Sequence, residues 1–307
     1  MSDMDHILET APTKCGFVAL IGTPNAGKST LTNQLVGAKV SIVTHKVQTT
    51  RARIRAIAME GDTQIILVDT PGIFTPKRRL DRAMVGAAWD GVKDSDVVAL
   101  LIDAAKGLDD GSRKILDGLT NVNTPKVLLL NKIDCIEKEN LLALTEEINQ
   151  LATFDKVFMI SALNGKGVKD LREYLASTLP FGPWLYPEDQ LGDATMRFNA
   201  AEITREKLYL RLHEELPYAS TIETTQWKTL KDGSVRVEQT IYVERDSQKK
   251  IVIGKNGQTI KAISSESRKE ISEIAETKIH LFLFVKVRSK WSDDPERYRE
   301  MGLDFSD

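Results

Sequence analysis

Only two cysteines occur among 307 residues, Cys15 and Cys135, far apart in the chain and without a neighbouring histidine cluster. That scarcity excludes a disulfide framework and a zinc site, and a reducing cytoplasm is the expected compartment. Long apolar runs are missing too. VVALLI and LFLFV are strand-sized, well short of the roughly 18 residues a membrane-crossing helix requires. The opening stretch MSDMDHILETAPTKCG carries acids and no apolar core, so a signal peptide is not expected. Internal repeats and low-complexity tracts are absent, and His45, His213 and His280 fall on unrelated segments, which leaves no catalytic histidine. A strong net charge is also lacking: the formal value is −2 at pH 7, with ordinary hydrophobic and charged fractions of 41% and 28%. The balance is uneven, however, because residues 195–292 hold 18 Lys/Arg against 13 Asp/Glu, a surplus of +5 that suits a polyanionic partner.

The length accommodates two domains. In the first half, short apolar runs alternate with amphipathic ones: FVALIG, IILVDTPG, VVALLIDA, KVLLLNKID and KVFMISAL read as buried strands of a mainly parallel α/β sheet. The stretch LPFGPWLYPEDQLGD is rich in proline and glycine and reads as an interdomain linker. Beyond it, AAEITREKLYLRLHEEL reads as a helix closed by Pro217, followed by two strands around a Lys231-Asp232-Gly233 turn. Next come an apolar strand, IVI, that breaks at Gly254, a helix from Ile260 to about Thr277, and the strand IHLFLFVKV. The expected boundaries are an N-terminal extension over 1–15, a first domain over 16–180, a linker over 181–194, a second domain over 195–292 and an acidic tail over 293–307.

Chemistry concentrates after the strands, at the edge where open α/β sheets bind ligands. GTPNAGKS fits the phosphate-loop pattern G-x-x-x-x-G-K-[ST] between a strand and a helix. Gly22 and Gly27 permit the tight backbone path, the amides of Asn25, Ala26, Gly27 and their neighbours through Thr30 face phosphate oxygens, Lys28 reaches the outer phosphates, and Ser29 holds magnesium. VDTPG places Asp69 where it orients magnesium through water and Gly72 where its amide senses a terminal phosphate. NKID supplies Asn131, Lys132 and Asp134. The Asp134 carboxylate can accept two hydrogen bonds from a guanine edge, and adenine would leave it unpaired, which disfavours an ATP-dependent enzyme. SAL, with Ser161, Ala162 and Leu163, adds a backbone amide for the guanine oxygen.

Together these motifs resemble the GTP-binding domain of the translation-factor class of GTPases. The resemblance implies a switch threonine that joins the magnesium site, and QTTRAR offers Thr49 and Thr50, with Thr50 preferred because it directly precedes Arg51. Arg51, Arg53 and Arg55 read as a solvated, alternating strand face. Gly72 is followed by Ile73 and Phe74, so the glutamine that orients water in many small GTPases has no counterpart. That pattern resembles the subclass with a hydrophobic residue there, which implies potassium as an activator, Asn25 as its ligand, and slow intrinsic hydrolysis. The implied catalytic set is Lys28, Thr50, Asp69, Gly72 and Asn25.

A second glycine loop lies in IVIGKNGQTIKAI. Its position after a helix, a β-hairpin and the basic RDSQKK segment resembles a KH domain of type II, an α+β fold whose loop clamps single-stranded RNA by its backbone. The implied RNA-binding residues are Ile253, Gly254, Lys255, Asn256 and Gly257, with Lys249 and Lys250 adding charge. A P-loop GTPase followed by such a domain resembles the bacterial Era GTPases. What that implies is a monomeric, GTP-hydrolysing switch cycling between GTP and GDP that binds the 3′ end of small-subunit ribosomal RNA, assists maturation of the 30S subunit and associates loosely with the inner membrane. The alternative is an RNA-binding module whose nucleotide domain is structural.

Overall fold

A computed structural model describes residues 12–213 and 216–305. The first unit contains strands β1 (Lys14–Gly22), β2 (Ile54–Glu60), β3 (Thr63–Asp69), β4 (Val97–Asp103), β5 (Lys126–Asn131) and β6 (Lys156–Ile160). They form one sheet in the order β2-β3-β1-β4-β5-β6, parallel except for the antiparallel β2-β3 pair. Every residue of β3 and β4 is buried, because helices cover both faces. On one side α1 (Lys28–Val36) and α5 (Val168–Thr178) pack over Leu20, Leu67, Leu101 and Leu129. On the other, α2 (Arg79–Lys93), α3 (Asp110–Leu119) and α4 (Lys138–Asn149) pack over Ile21, Leu100, Leu128 and Leu130. Each such buried aliphatic side chain contributes about 1.5–3 kcal/mol. The parallel register brings the ends of β1, β3, β4 and β5, namely Gly22, Asp69, Asp103 and Asn131, to a single sheet edge.

The second unit runs α6 (Met196–Arg211), β7 (Ser220–Thr229), β8 (Val235–Val243), α7 (Asp246–Ile253), α8 (Gln258–Ile274) and β9 (Ile279–Val287). Its sheet is ordered β7-β8-β9, with β8 antiparallel to β7 and parallel to β9. Leu208, Tyr209, Ile241, Val252 and Ile263 form one half of its core, and Ala200, Ile203, Val237, Ile271 and Ile279 the other. This is the α+β, type II KH order expected from the sequence.

Four expectations need correction. Residues 251–253, read as a strand, close helix α7 instead. The reason is local: the Gln248 side chain accepts from the Glu244 and Arg245 amides and caps the helix, and only Val252 needs burial, while Ile251 stays 56% exposed. Helix α6 stops at Arg211 rather than running on to Pro217. Strand β1 begins at Lys14, inside the segment assigned to the N-terminal extension, whose residues 1–11 lie outside the described part. The acidic tail is no loose tail: Trp291, Tyr298 and Leu303, flanking and including α9 (Pro295–Glu300), pack on Leu80 and Met84 of α2. Trp291 also donates its indole N–H to the Ala219 carbonyl at 3.0 Å.

The proline-rich stretch is likewise pinned rather than loose. The Ile57 amide donates to Leu191 O (2.9 Å) and the Asp193 amide to Arg55 O (3.1 Å), so it covers the exposed edge of β2. Gln64, fully buried, accepts from the Leu185 and Tyr186 amides at 2.9 and 3.0 Å and donates to Tyr186 O at 2.8 Å. Replacing one partner of such a set leaves buried amides unsatisfied. Gln64→Leu is therefore expected to lower unfolding stability by about 2 kcal/mol in urea titration, and an unchanged midpoint would show that the strap does not depend on this side chain.

Candidate functional site

Between Gly22 and Lys28 the chain turns from β1 into α1 through a left-handed Asn25 (φ 65°) and Gly27 (φ 104°). A Cβ at Gly27 would stand 2.2 Å from the Asn131 amide nitrogen, so this position admits glycine alone. The N-terminus of α1 thereby opens into the loop, where helix amides favour anions. Lys28 is 6% exposed and donates to Gly22 O and Thr23 O, each at 3.0 Å. Burial lowers its pKa to about 8, with the Asp69 carboxylate opposing.

Asp69 is fully buried and neither carboxylate oxygen has a hydrogen-bond partner. Burial raises its pKa, and the Ser29 hydroxyl, Lys28 and the Ser41 hydroxyl pull it back only in part. Beside it, Ser29 Oγ and Thr50 Oγ1 stand 2.8 Å apart. An orphaned carboxylate next to paired hydroxyls is a set of hard oxygen donors that fits magnesium. Thr49, the other candidate, also borders the nucleotide-side cavity, but its hydroxyl is already engaged by Thr44 Oγ1 and Lys46 O, both at 2.6 Å. Gly72 presses against the phosphate loop, since a Cβ there would meet Pro24 N at 2.8 Å. Ile73 is a core residue whose amide donates to Gly22 O at 3.0 Å. Asn25 donates its side-chain amide to His45 O at 2.9 Å. Asn25, Gly27, Lys28, Ser29, Thr30, Thr50, Gly72 and Lys132 all border one cavity of about 330 Å³.

At the far end of the site, Asn131 is 2% exposed and donates to Ala26 O at 2.8 Å while accepting from the Ala162 amide at 2.9 Å. It ties three loops together. Lys132 is left-handed (φ 66°) and its ammonium lies 2.6 Å from Asp103. Asp134 is exposed, and the Ser161 hydroxyl holds its carboxyl below the usual range. Leu163 is 76% exposed at the rim, where Ala162 and Thr30 border the same depression.

The second loop joins α7 to α8. Gly254 (φ 74°) closes against the following turn, where a Cβ would meet Thr259 Oγ1 at 2.2 Å. Asn256 (φ 53°) and Gly257 (φ 74°) are left-handed as well, and Gly257 has open space around it. Lys255 and Asn256 are exposed. Ile253 and Gly254 are half-buried, and Lys249 and Lys250 lie on the last turns of α7.

The arginine expectation does not hold. Arg51 is 2% exposed and donates to the carbonyls of Ser220 (2.8 Å), Pro217 and Tyr218 (3.3 Å each), all in the second unit. It lies over the rings of Tyr209 and Trp291 as well. Arg53 is paired to Asp94 at 3.7 Å and Arg55 stacks on Phe17. Sequence reading also missed Arg205 and Glu206 of α6, which are buried against residues 43–49. The available signal is their setting: α6 buries side chains almost all round, and these two charged residues lie among Ile203, Leu208 and Tyr209.

The two units and their loops define a class, P-loop GTPases that carry a carboxyl-terminal KH domain. Residues 17–132 match the family model described as a 50S ribosome-binding GTPase, and residues 215–292 match the KH domain model. The GTPase Era of Brucella suis is 65% identical over 97% of this chain and 96% of its own length, and that of Rhizobium meliloti is 65% identical over 98% and 96%. A solved structure of Era in complex with MgGDPNP and nucleotides 1506–1542 of 16S ribosomal RNA superimposes with a TM-score of 0.90 at 36% identity, over 94% of this chain and 99% of that one. An Aquifex aeolicus Era variant bound to GDP and aluminium fluoride gives the same values. The chain belongs to the Era family of GTPases.

The two second-loop glycines are constrained differently. Gly254→Ala forces a 2.2 Å clash as well as left-handed strain, whereas Gly257→Ala meets open space and carries the strain alone. We expect Gly254→Ala to lower the melting stability by at least about 1 kcal/mol more than Gly257→Ala. Equal losses in paired thermal melts would show that Thr259 yields.

Proposed function

We propose that this protein is a GTP-driven switch that binds the 3′ end of small-subunit ribosomal RNA through its second loop and assists maturation of the 30S subunit. The observation that carries the proposal is the buried, unpartnered Asp69 carboxylate beside the Ser29-Thr50 hydroxyl pair, a site left incomplete until a cation and its phosphates arrive. Magnesium there would neutralise charge on the outer phosphates. Lys28 and the loop amides hold the phosphates, Gly72 offers an amide beside the loop, and Asp134 with the 161–163 loop reads guanine. Thr50 and Gly72 lie on segments whose order follows the terminal phosphate.

Binding of the RNA backbone falls to Gly254, Lys255, Asn256 and Gly257, with Ile253 at the edge of the base groove and Lys249 and Lys250 nearby. The solved Era structure that holds both a GTP analogue and the 3′ end of 16S ribosomal RNA supports this division. Asn25 is the residue we assign to potassium: its amide nitrogen is committed to His45 O, which leaves its oxygen as the donor. Cytoplasmic residence, a monomeric state and loose contact with the inner membrane rest on the family resemblance. Among the described residues no helix is long and apolar enough to cross a membrane.

A switch requires different RNA affinity in the two nucleotide states. We expect an oligoribonucleotide of the 3′-terminal sequence to bind with GDP and with a non-hydrolysable GTP analogue at affinities that differ about fivefold or more. Identical affinities would favour an RNA-binding module with a structural nucleotide domain. Steady-state GTP hydrolysis is expected to run about tenfold faster in potassium than in sodium chloride, and equal rates would discard potassium as the activator and Asn25 as its ligand.

A further inference from the structure

Residues 39–51, the segment that delivers Thr50 to the nucleotide cavity, are held from outside by α6 and the chain that follows it in the second unit. At the near end Glu206, 4% exposed, accepts from the Val43 amide at 2.9 Å and from Lys39 at 2.6 Å. In the middle the Lys46 ammonium donates to Leu212 O. Next to Thr50, the guanidinium of Arg205 donates to Gln48 O at 3.4 Å and to Thr49 O. The far end is Arg51, seated on the carbonyls of residues 217, 218 and 220.

Arg205 is the member of this set that acts closest to the chemistry. It is 2% exposed, aimed by Glu202 through bonds of 2.8 and 2.5 Å, and stacked on the Tyr209 ring at 5.0 Å. A planar guanidinium fixed on three sides has one orientation, and in that orientation it binds the two carbonyls immediately before Thr50. Gln48 is left-handed (φ 56°), and its side chain is tied to Asp81 at 3.0 Å. The backbone preceding Thr50 is therefore strained and needs outside support. With that support, Thr50 Oγ1 stands 2.8 Å from Ser29 Oγ.

We propose that Arg205 is a positioning residue for GTP. Reaching across from the KH unit, it presets Thr50 at the Ser29 hydroxyl, so that affinity for the triphosphate, and not for the diphosphate, depends on the second unit. The inference rests on the reading of Thr50 given under Proposed function. Its chemical logic is preorganisation: a ligand that needs Thr50 gains when the segment is already ordered, and one that does not need it gains nothing.

The test uses the full chain and two readouts. In magnesium buffer, Arg205→Gln is expected to weaken a fluorescent non-hydrolysable GTP analogue about tenfold while changing GDP affinity by less than about twofold, and Arg205→Lys is expected to fall between. In the nucleotide-free protein, hydrogen exchange of residues 44–50 should rise in Arg205→Gln while β5 stays protected. Equal weakening of both nucleotides, or no weakening of either, would overturn the proposal. Should Arg205→Gln fail to fold in a thermal melt, Glu202→Gln, which keeps the guanidinium but removes the carboxylate that aims it, carries the same selective loss at about threefold. Its absence there would overturn the proposal equally. Thr50→Ala separates the two readings: if it leaves GTP-analogue affinity unchanged, the assignment of Thr50 itself is wrong, whatever Arg205 does.

Discussion

Two opposite charges, Lys28 and Asp69, are buried together at the sheet edge, and neither Asp69 oxygen has a partner within hydrogen-bonding geometry. Burying a carboxylate in this way is expensive, and proteins tolerate it chiefly where a ligand completes the set. Parallel strands make the arrangement available, because β1 and β3 must end at the same edge when they run in register, and their last residues are Gly22 and Asp69. The hydrophobic layers on both faces then keep that edge fixed. On the proposed assignment, a cation and phosphates entering the cavity would supply what the fold withholds, and nucleotide and native structure would then stabilise each other by mass action.

The five parallel strands of the first sheet, the phosphate loop and the second glycine loop were legible in the sequence because each is a local pattern, whereas the antiparallel edge strand β2 was not singled out. An apolar run bounded by a glycine motif specifies a strand end whatever surrounds it. What could not be read was everything decided across the chain. Residues 251–253 carry strand-forming side chains, yet a cap from Gln248 and the burial of Val252 alone make them helical. Acidity hid the aromatic anchors of the final segment, although Trp291 and Tyr298 are among the most deeply buried side chains. The three arginines after Thr50 alternate as a solvated face would, but the partners that bury Arg51 lie more than 160 residues away in sequence.

The two loops proposed to grip phosphate differ in a way that would match their ligands. Gly27 is walled in by Asn131, which also binds Ala26 and Ala162, so the first loop is enclosed from several sides. Gly257 faces open space, and Lys255 and Asn256 are exposed, so the second loop is an open rail along which a strand can run. An enclosed site suits a small nucleotide held with tight geometry, and an open one suits a polymer that enters and leaves sideways.

Because α6 touches the segment before Thr50 and also forms part of the core beneath α7 and α8, the two grips share a structural element. Leu208 and Tyr209 of α6 pack in the same cluster as Val252 and Ile263, which flank the second loop. Any shift of α6 that loosens Arg205 from Gln48 and Thr49 must be accommodated in that packed cluster, and close-packed cores move between discrete arrangements rather than yielding gradually. Coupling through binding free energy is reciprocal, so whatever one ligand does to the affinity of the other is returned in equal measure. Hydrogen bonds from a buried guanidinium contribute about 1.5–3 kcal/mol each, the scale of ordinary allosteric coupling. A handful of side chains along one helix is therefore sufficient, energetically, to let the nucleotide site and the RNA site sense each other.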